Sequence, residues 1–488
     1  MIGRRRAIPS WFAPALLGLG LIVILAAAVS ADPAQHVTAS SSPFSDEGYN
    51  ALNARNLVLL GRWSTDSWNL YLVELPLSTL LAGVFAVFGV GIVQARLACV
   101  AVVGLLILVF GWGLARPFGK RAASLAALAV ATAGLLLYYG RLVYQEDLVI
   151  FFLAAGVLTL GRDIARRPWR WGLVGGALLA LGVGTKPSAI FAVAGILAAV
   201  AVLAARTPAT RRWIAGAVLG VLVAGLAWGA LVWLPNRAAF ANVLRIWPPF
   251  TWPTTPGSLV HRVLTYVVDN DGALRLSLPI AAMGLFGLVV VFIRRRELDE
   301  AQLRLVAAAI GWLVGGLGIL AVASYRPNRY VLPMLPAAGI LVAAGIALAG
   351  PWVRVRLPAA ARAGAVALLA VLLAAPGLVS YASWVVGAPS TAPAIQAEMA
   401  QAVPAGSVVV GVDVGLFMMR APVVAIITAK GVPGNSGDLY HSAGARWYLT
   451  NPDAYPYSVS LPPGAWDARR RIVCAAWFNS QDCLYEVQ

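Results

Sequence analysis

Two pairs of adjacent carboxylates, Asp46-Glu47 and Glu146-Asp147, stand in a chain with only 20 acidic residues in 488. Each pair borders an apolar stretch, where desolvating neighbouring carboxylates is costly and a functional role is the default reading. The first lies within Ser45-Asp46-Glu47-Gly48-Tyr49, for which the plain alternative is a solvated loop start. Cations accompany the acids: Lys186 in Thr185-Lys186-Pro187-Ser188, and Arg326 and Arg329 in Ser324-Tyr325-Arg326-Pro327-Asn328-Arg329-Tyr330. A carboxylate beside Lys and Arg suits attack by a hydroxyl on a centre whose leaving group is a phosphate. The cations bind that phosphate and stabilise the charge it gains, while an Asp takes the proton from the hydroxyl. An exposed Asp has a pKa of about 3.9, so a recess is needed to raise its basicity. Phosphate departs without help from an acid, so one carboxylate suffices for the chemistry. The second could steer the acceptor or hold a cation. Two acidic pairs could hold a divalent metal, though no ligand spacing argues for one.

The elements that must position these residues are membrane helices. Hydrophobic residues make up 60% of the chain and the mean hydropathy is +0.79. Apolar runs recur from Trp11 to Trp384 and reach or approach the ~20 residues that cross a bilayer. The formal charge of +17 does not indicate nucleic acid, because the basic residues sit in clusters between apolar runs, where they encode orientation. Those clusters are Arg4-Arg5-Arg6; Arg116, Lys120 and Arg121; Arg162, Arg166, Arg167 and Arg170; Arg206, Arg211 and Arg212; Arg294-Arg295-Arg296; and Arg354, Arg356 and Arg362. All are cytoplasmic only if an even number of crossings separates neighbours. Between Arg6 and Arg116 lie three apolar runs, 11–30, 72–90 and 95–115. The weakest, 72–90, opens with Glu74 and Pro76, and is read as lying along or dipping into the outer leaflet. This predicts about eleven transmembrane helices in an all-α polytopic domain over 1–386, with a first outer loop over 31–94. The N-terminus is inside and both acidic pairs face outward. Met1–Ser30 imitates a secretory signal, but its apolar stretch exceeds the ~7–15 residues of such a segment and is read as a retained helix.

Two runs are short. Residues 148–161 and 172–185 hold 14 residues each, about 21 Å of helix against a hydrocarbon core of about 30 Å. Starting from the cytoplasmic side, their outer ends leave Asp147 and Lys186 in a recess walled by protein. A snorkelling Lys186 is the plain alternative. Beyond Gly387 the chain turns mixed polar and reads as a small extracytoplasmic α/β domain over 387–488, with a lid or docking role. Its expected elements are a helix at 394–403 and strands at 407–412, 423–428, 446–450, 471–475 and 483–487. Cys474 and Cys483 pair if that segment faces an oxidising compartment. Arg96 either caps its span or touches the phosphate. Tyr49, Arg55 and Glu146 are acceptor or auxiliary candidates, with lipid headgroups the other reading for Arg55 and Arg62. Trp247, Pro248, Pro249, Trp252 and Pro253 read as an interfacial aromatic belt, or else stack on sugar. His261 reads as structural.

The ordered set Asp46-Glu47, Glu74-Leu75-Pro76-Leu77, Gln94-Ala95-Arg96-Leu97, Asp147, Thr185-Lys186 and Arg329-Tyr330-Val331-Leu332-Pro333 resembles the GT-C superfamily of membrane glycosyltransferases, near the protein O-mannosyltransferases and the lipid A aminoarabinose transferases. The resemblance spans nearly the whole chain. It implies inverting transfer of one sugar from a polyprenyl-phosphate carrier to a lipid, glycan or protein acceptor outside the plasma membrane. Asp46 would be the base, with Glu47 and Asp147 shaping the acceptor or cation site. Lys186, Arg326, Arg329, Tyr330 and Arg96 would serve the donor phosphate. Leu75 and Tyr49 stand where the aminoarabinose transferases carry Lys and Arg, which argues against lipid A phosphate as acceptor. No Trp-Trp-Asp follows Gly387, so sequon recognition is not supported. The rival reading is a transporter or flippase of anionic lipid-linked sugars, but no internal repeat is visible.

Overall fold

The computed structural model describes residues 9–487, apart from 35–36, 38–45, 66–73, 163, 165, 206, 239–240, 242–254, 270, 324–326, 412, 428–443, 451–468 and 478–479. Arg326 and the Trp247–Pro253 aromatic loop lie outside the described residues. Helix α1 is Phe12–Ala27, α2 Glu47–Leu60, α3 Leu75–Phe88, α4 Ile92–Phe118, α5 Lys120–Ala131, α6 Gly134–Tyr139 and α7 Gln145–Leu158. They are followed by α8 Pro168–Thr185, α9 Ile190–Ala204, α10 Pro208–Trp228, α11 Pro256–Asp269, α12 Asp271–Arg294, α13 Glu300–Val322, α14 Leu335–Arg356 and α15 Ala359–Gly387.

Seven helical segments are long and apolar enough to cross a membrane among the described residues: Ile92–Phe118, Pro187–Ala204, Pro208–Trp233, Arg275–Glu297, Glu300–Val322, Asn328–Arg356 and Ala359–Gly387. The other crossings expected from sequence fall on shorter pieces: α1 with 16 residues, α5 with 12 running on to α6, α7 with 14 and α8 with 18. Helix α8 is four residues longer than its apolar run, because Pro168 at its first turn starts the helix inside the basic segment. Helix α3 has 14 residues and packs on α2 and α4.

Glycines decide how closely the spans pack. A Cβ at Gly172 or Gly176 of α8 would collide with the Trp213 or Ala217 carbonyl oxygen of α10. Lipid tails give apolar helices no reason to associate, so close backbone approach through small residues supplies the attraction. Gly195 of α9 meets Gly311 of α13 in the same way. Pro187 ends α8: the residue before a proline is pushed from helical to extended backbone, and Lys186 has φ −150° and ψ 115°. A 3₁₀ turn over Pro187–Ala189 then restarts the chain as α9.

After α15 come α16 (Ala392–Ala402), β1 (Val408–Gly411), the single turn α17 (Val414–Phe417), β2 (Val424–Ile427), β3 (Trp447–Thr450), β4 (Arg469–Trp477) and β5 (Ser480–Val487). The sheet order is β2-β1-β3-β5-β4, with β1 parallel to β2 and β3, and β5 antiparallel to β3 and β4. Cys474 and Cys483 are disulfide-bonded across β4 and β5. One apolar core runs through this sheet and into the first loop: Leu416, Phe417, Met418 and Met419 pack with Ala51, Leu52, Leu77, Leu81 and Phe85.

Gly176→Ala is expected to lower thermal stability by about 1–3 kcal/mol despite alanine's better helix propensity, because the added carbon overpacks the α8–α10 contact. Gly225→Ala on α10, where nothing lies within 4 Å, is expected to leave stability unchanged or slightly raised. Thermal unfolding of both variants in detergent followed by Trp fluorescence is the check.

Candidate active site

Asp46 is the N-cap residue of α2, but its side chain makes no capping hydrogen bond. Its Oδ2 instead lies 2.6 Å from Nη2 of Arg329. The Nε of Arg329 is 3.2 Å from Oε1 of Glu146, and Nζ of Lys186 reaches the same oxygen at 2.6 Å. The chain Asp46–Arg329–Glu146–Lys186 therefore joins two carboxylates and two cations from four places in the fold: the start of α2, the 3₁₀ turn Asn328–Met334, the first turn of α7 and the break between α8 and α9. Two tyrosines complete it, with Lys186 4.8 Å from the Tyr330 ring centroid and Arg329 4.9 Å from that of Tyr144. Asp46 keeps a quarter of its side chain exposed and Glu146 almost none. A cavity of about 30 Å³ adjoins these groups, lined by Glu146, Lys186 and Tyr330 together with the apolar Ala189, Ala192 and Ile319.

Sequence reasoning passed over a second tier. Gln145 donates to Oδ1 of Asn50 at 2.8 Å and to Glu74, and Asn50 donates to the Val143 carbonyl at 2.6 Å. Burial, with the nearby Glu146 and Asp46 charges, pushes the Glu74 pKa well above the usual carboxylate range. The presence of Glu74-Leu75-Pro76 in the ordered motif set was the signal that could have singled it out.

The other residues singled out from sequence lie elsewhere. Glu47 is fully buried and holds Arg96 by two oxygens, Oε1 to Nε at 2.8 Å and Oε2 to Nη2 at 2.7 Å. It also accepts from the Val143 amide at 3.0 Å. Burial alone would raise its pKa, but Arg96 and the amide outweigh this and hold it below the ordinary value. Both oxygens are engaged inside the protein, so this pair does not face the recess, and neither Glu47 nor Arg96 is placed to meet a substrate. Arg96 also donates to the Val29 and Ala31 carbonyls, both at 2.9 Å. Arg55 is likewise turned away from substrate and from headgroups. It is buried and donates to the carbonyls of Met418, Met419, Ala421 and Val423, clamping α2 to the C-terminal sheet. Asp147 is one residue from Glu146 and so turned about 100° around α7. It is buried, and neither oxygen has a hydrogen-bond partner among the described residues. Tyr49 packs half-buried against the core shared with the sheet. Among the described residues no group of three or more His, Cys, Asp and Glu side chains converges as metal ligands do.

The sheet reaches this region too. A Cβ at Gly48 would collide with the Leu416 amide of α17, so α2 and α17 touch backbone to backbone. Asp413, just before α17, and Asp482 of β5 are both buried, each with an Oδ2 lacking a partner among the described residues. Burial, then the charges of Asp482 and Asp46, push the Asp413 pKa well up, and burial pushes Asp482 up to about 6.

Residues 77–233 match the family described as dolichyl-phosphate-mannose-protein mannosyltransferase. No curated protein sequence is a match. Among solved structures, the chain is similar to ArnT from Cupriavidus metallidurans bound to undecaprenyl phosphate, at 19% identity over 97% of each chain with a TM-score of 0.67. The same protein without ligand matches at 20% identity, 97% of each chain and a TM-score of 0.67. The Archaeoglobus fulgidus oligosaccharyltransferase matches at 14% identity over 90% of this chain and 70% of that one, with a TM-score of 0.52. These likenesses establish the fold.

Two outcomes follow from the geometry. Glu47→Ala or Arg96→Ala strands a buried charge and is expected to cost about 3–5 kcal/mol of stability. The double variant is expected to cost clearly less than the sum, read as a double-mutant cycle by thermal unfolding. For Asp482 the folded state favours the protonated acid. Its contribution is full below the ordinary value of 3.8 and is lost as pH rises through about 6. Asp482→Asn is expected to flatten melting temperature against pH across that window.

Proposed function

We propose that this chain, whose residues 77–233 match the family described as dolichyl-phosphate-mannose-protein mannosyltransferase, transfers a single sugar with inversion from a polyprenyl-phosphate donor to an acceptor hydroxyl or phosphate. The observation that carries this reading is the chain Asp46–Arg329–Glu146–Lys186, the arrangement needed when a phosphate leaves as a hydroxyl attacks. Lys186 and Arg329 bind the donor phosphate, joined by Arg326 and flanked by Tyr330. As the acceptor oxygen attacks the anomeric carbon from the far side, the carbon–oxygen bond to phosphate breaks and its electron pair goes to the phosphate. The two cations offset the added charge. Asp46 takes the acceptor proton, and its exposed edge is where an acceptor can approach. Glu146 orients both cations before the donor arrives. Glu74, held toward its neutral form, adds no further negative charge beside an anionic donor.

The apolar part of the cavity between the Lys186–Ala192 segment and α13 gives the first units of a prenyl chain a path between spans. A volume of about 30 Å³ is far below the ~300–1,000 Å³ of sites for larger ligands. Donor entry therefore requires Lys186 and Tyr330 to part from the cavity mouth. Transfer outside the plasma membrane is supported by the Cys474–Cys483 bond, which belongs in an oxidising compartment, and by the basic clusters at the opposite ends of the spans. Leu75 and Tyr49 favour an acceptor other than lipid A phosphate. The family match favours transfer over mere translocation of a lipid-linked sugar.

Asp46→Asn is expected to lower turnover about 10²–10⁴-fold with donor affinity little changed. Lys186→Ala is expected to weaken donor binding as well as slow transfer. The assay is release of labelled sugar from a polyprenyl-phosphate carrier by reconstituted protein, with thermal unfolding as the folding control. Full activity of a normally folded Asp46→Asn protein defeats the base assignment.

A further inference from the structure

Helix α7 begins at the candidate site, and α13 leads toward the turn that carries Arg329. The opposite ends of α7 and α13 meet the end of α4 at a second cleft of about 330 Å³, lined by Arg116 and Pro117 of α4, Gly161 and Arg162 beyond α7, and Asp299, Glu300 and Arg304 at the start of α13. At 1.5 Å per residue, the 20 residues from Arg96 to Arg116 on α4 put the two places about 30 Å apart, one hydrocarbon thickness. The acids lining the cleft are already engaged. Asp299 caps α13, accepting from the Gln302 amide at 2.8 Å, and Glu300 pairs with Arg304 at 3.2 Å. Arg304 is mostly buried, with its Nε on the Leu160 carbonyl at 3.3 Å. Arg116 and Arg162 differ: among the described residues neither guanidinium has an ion-pair partner. Burial and the charge of Arg116 together lower the Arg162 pKa, so the two cations stand close enough to repel.

The surroundings mark this depth as the membrane interface. The Arg162 guanidinium lies 4.1 Å from the Trp112 ring centroid and 5.9 Å from that of Trp171. Trp112 and Trp169 are about half exposed, as tryptophans of an interfacial belt are. The cleft also lies amid the chain's clustered basic residues, including Arg166, Arg167, Arg170, Arg211 and Arg212. Two mutually repelling arginines over a cleft between helix ends at headgroup depth fit one ligand chemistry, a phosphate ester.

We propose that Arg116 and Arg162 form a binding site for the phosphate of an anionic phospholipid headgroup, in the leaflet opposite the transfer site and about 30 Å from it. The headgroup phosphate bridges the two guanidiniums, Trp112 flanks it, and its acyl chains run along the exposed apolar surface of the neighbouring helices. The site is independent of the glycosyl-transfer reading, since none of its residues touches that chemistry.

The test uses full-length protein in nanodiscs of phosphatidylcholine with or without phosphatidylglycerol. Retained lipid is counted by native mass spectrometry and melting temperature is recorded alongside. Wild type is expected to retain phosphatidylglycerol preferentially and to melt higher with it present. Arg116→Gln/Arg162→Gln is expected to retain about ten-fold less, the loss of charge-assisted contacts worth about 1.4 kcal/mol or more. Arg212→Gln, on the same face but outside the cleft lining, is expected to behave as wild type. A parallel titration with inorganic phosphate in phosphatidylcholine alone separates the sources: protection by phosphate without lipid retention assigns the cleft to a free phosphate compound and overturns the lipid. Retention by the double variant equal to wild type overturns the site altogether. If the double variant melts too low to measure, Arg116→Gln alone carries the comparison, with an intermediate loss expected and none overturning it.

Discussion

The fully buried pair between Glu47 and Arg96 is the constraint on which the candidate site depends. A carboxylate and a guanidinium lose several kcal/mol each on leaving water, and only near-complete satisfaction makes the arrangement tolerable. Here Glu47 accepts from Arg96 twice and from the Val143 amide, while Arg96 also binds the Val29 and Ala31 carbonyls. Those carbonyls belong to the strand leaving α1, which Arg141 grips from the other side through Ala28, Ala31 and Asp32. Asp32 in turn accepts from the Thr391 and Ala392 amides and from the Thr391 hydroxyl, capping α16 of the C-terminal region. One network thus ties together α2, α4, the segment before α7, the exit of α1 and the C-terminal region. Because Asp46 immediately precedes Glu47, locking Glu47 fixes where the proposed base stands.

The transfer site sits where short helices end rather than where long ones pass. Helix α7 begins at Gln145 and α8 stops at Thr185, so Glu146 and Lys186 meet below the level that full-length spans would reach. Pro187 makes this permanent, since the chain cannot simply continue α8 through it. The C-terminal sheet packs against this region. Arg55 and the Gly48–Leu416 contact hold the sheet against α2, a few residues from Asp46. The sheet is therefore part of the wall around the site as well as a domain beyond it.

The grouping of acids and cations and the C-terminal strands were legible in the chain, because each follows from length, charge placement or alternation. The roles of adjacent acids were not. Neighbouring residues on a helix point about 100° apart, so in Asp46-Glu47 and in Glu146-Asp147 one carboxylate meets the recess and the other turns into protein. Nothing local says which: Asp46 and Glu146 took the recess, while Glu47 took Arg96 and Asp147 took the interior. Arg55 and Arg96 were equally ambiguous, because a buried arginine that clamps carbonyls far along the chain, at least 363 residues away for Arg55 and 65 for Arg96, looks in one dimension like a ligand-binding arginine. Glu74 hid for the opposite reason: its neighbours Leu75 and Pro76 made it read as the edge of an apolar run. The start of α8 inside a basic segment shows a hydropathy boundary and a helix boundary parting company.

What separates frame from site is whether the protein completes the partners of its own buried charges. Glu47, Arg96 and Asp32 are satisfied by other parts of the chain, so they need no ligand and leave no room for one. Asp46, Glu146, Lys186 and Arg329 balance one another, but Glu146 keeps one oxygen without a partner among the described residues and Asp46 keeps an exposed edge. A donor phosphate entering between Lys186 and Arg329 competes with Glu146 for the same two cations. Glu146 must then turn away or take up a proton, since an unpaired carboxylate at that depth is too costly to leave. On the proposed reading, the carboxylate that prearranges the cations is also what makes room for the donor, while Arg329 keeps its contact with Asp46.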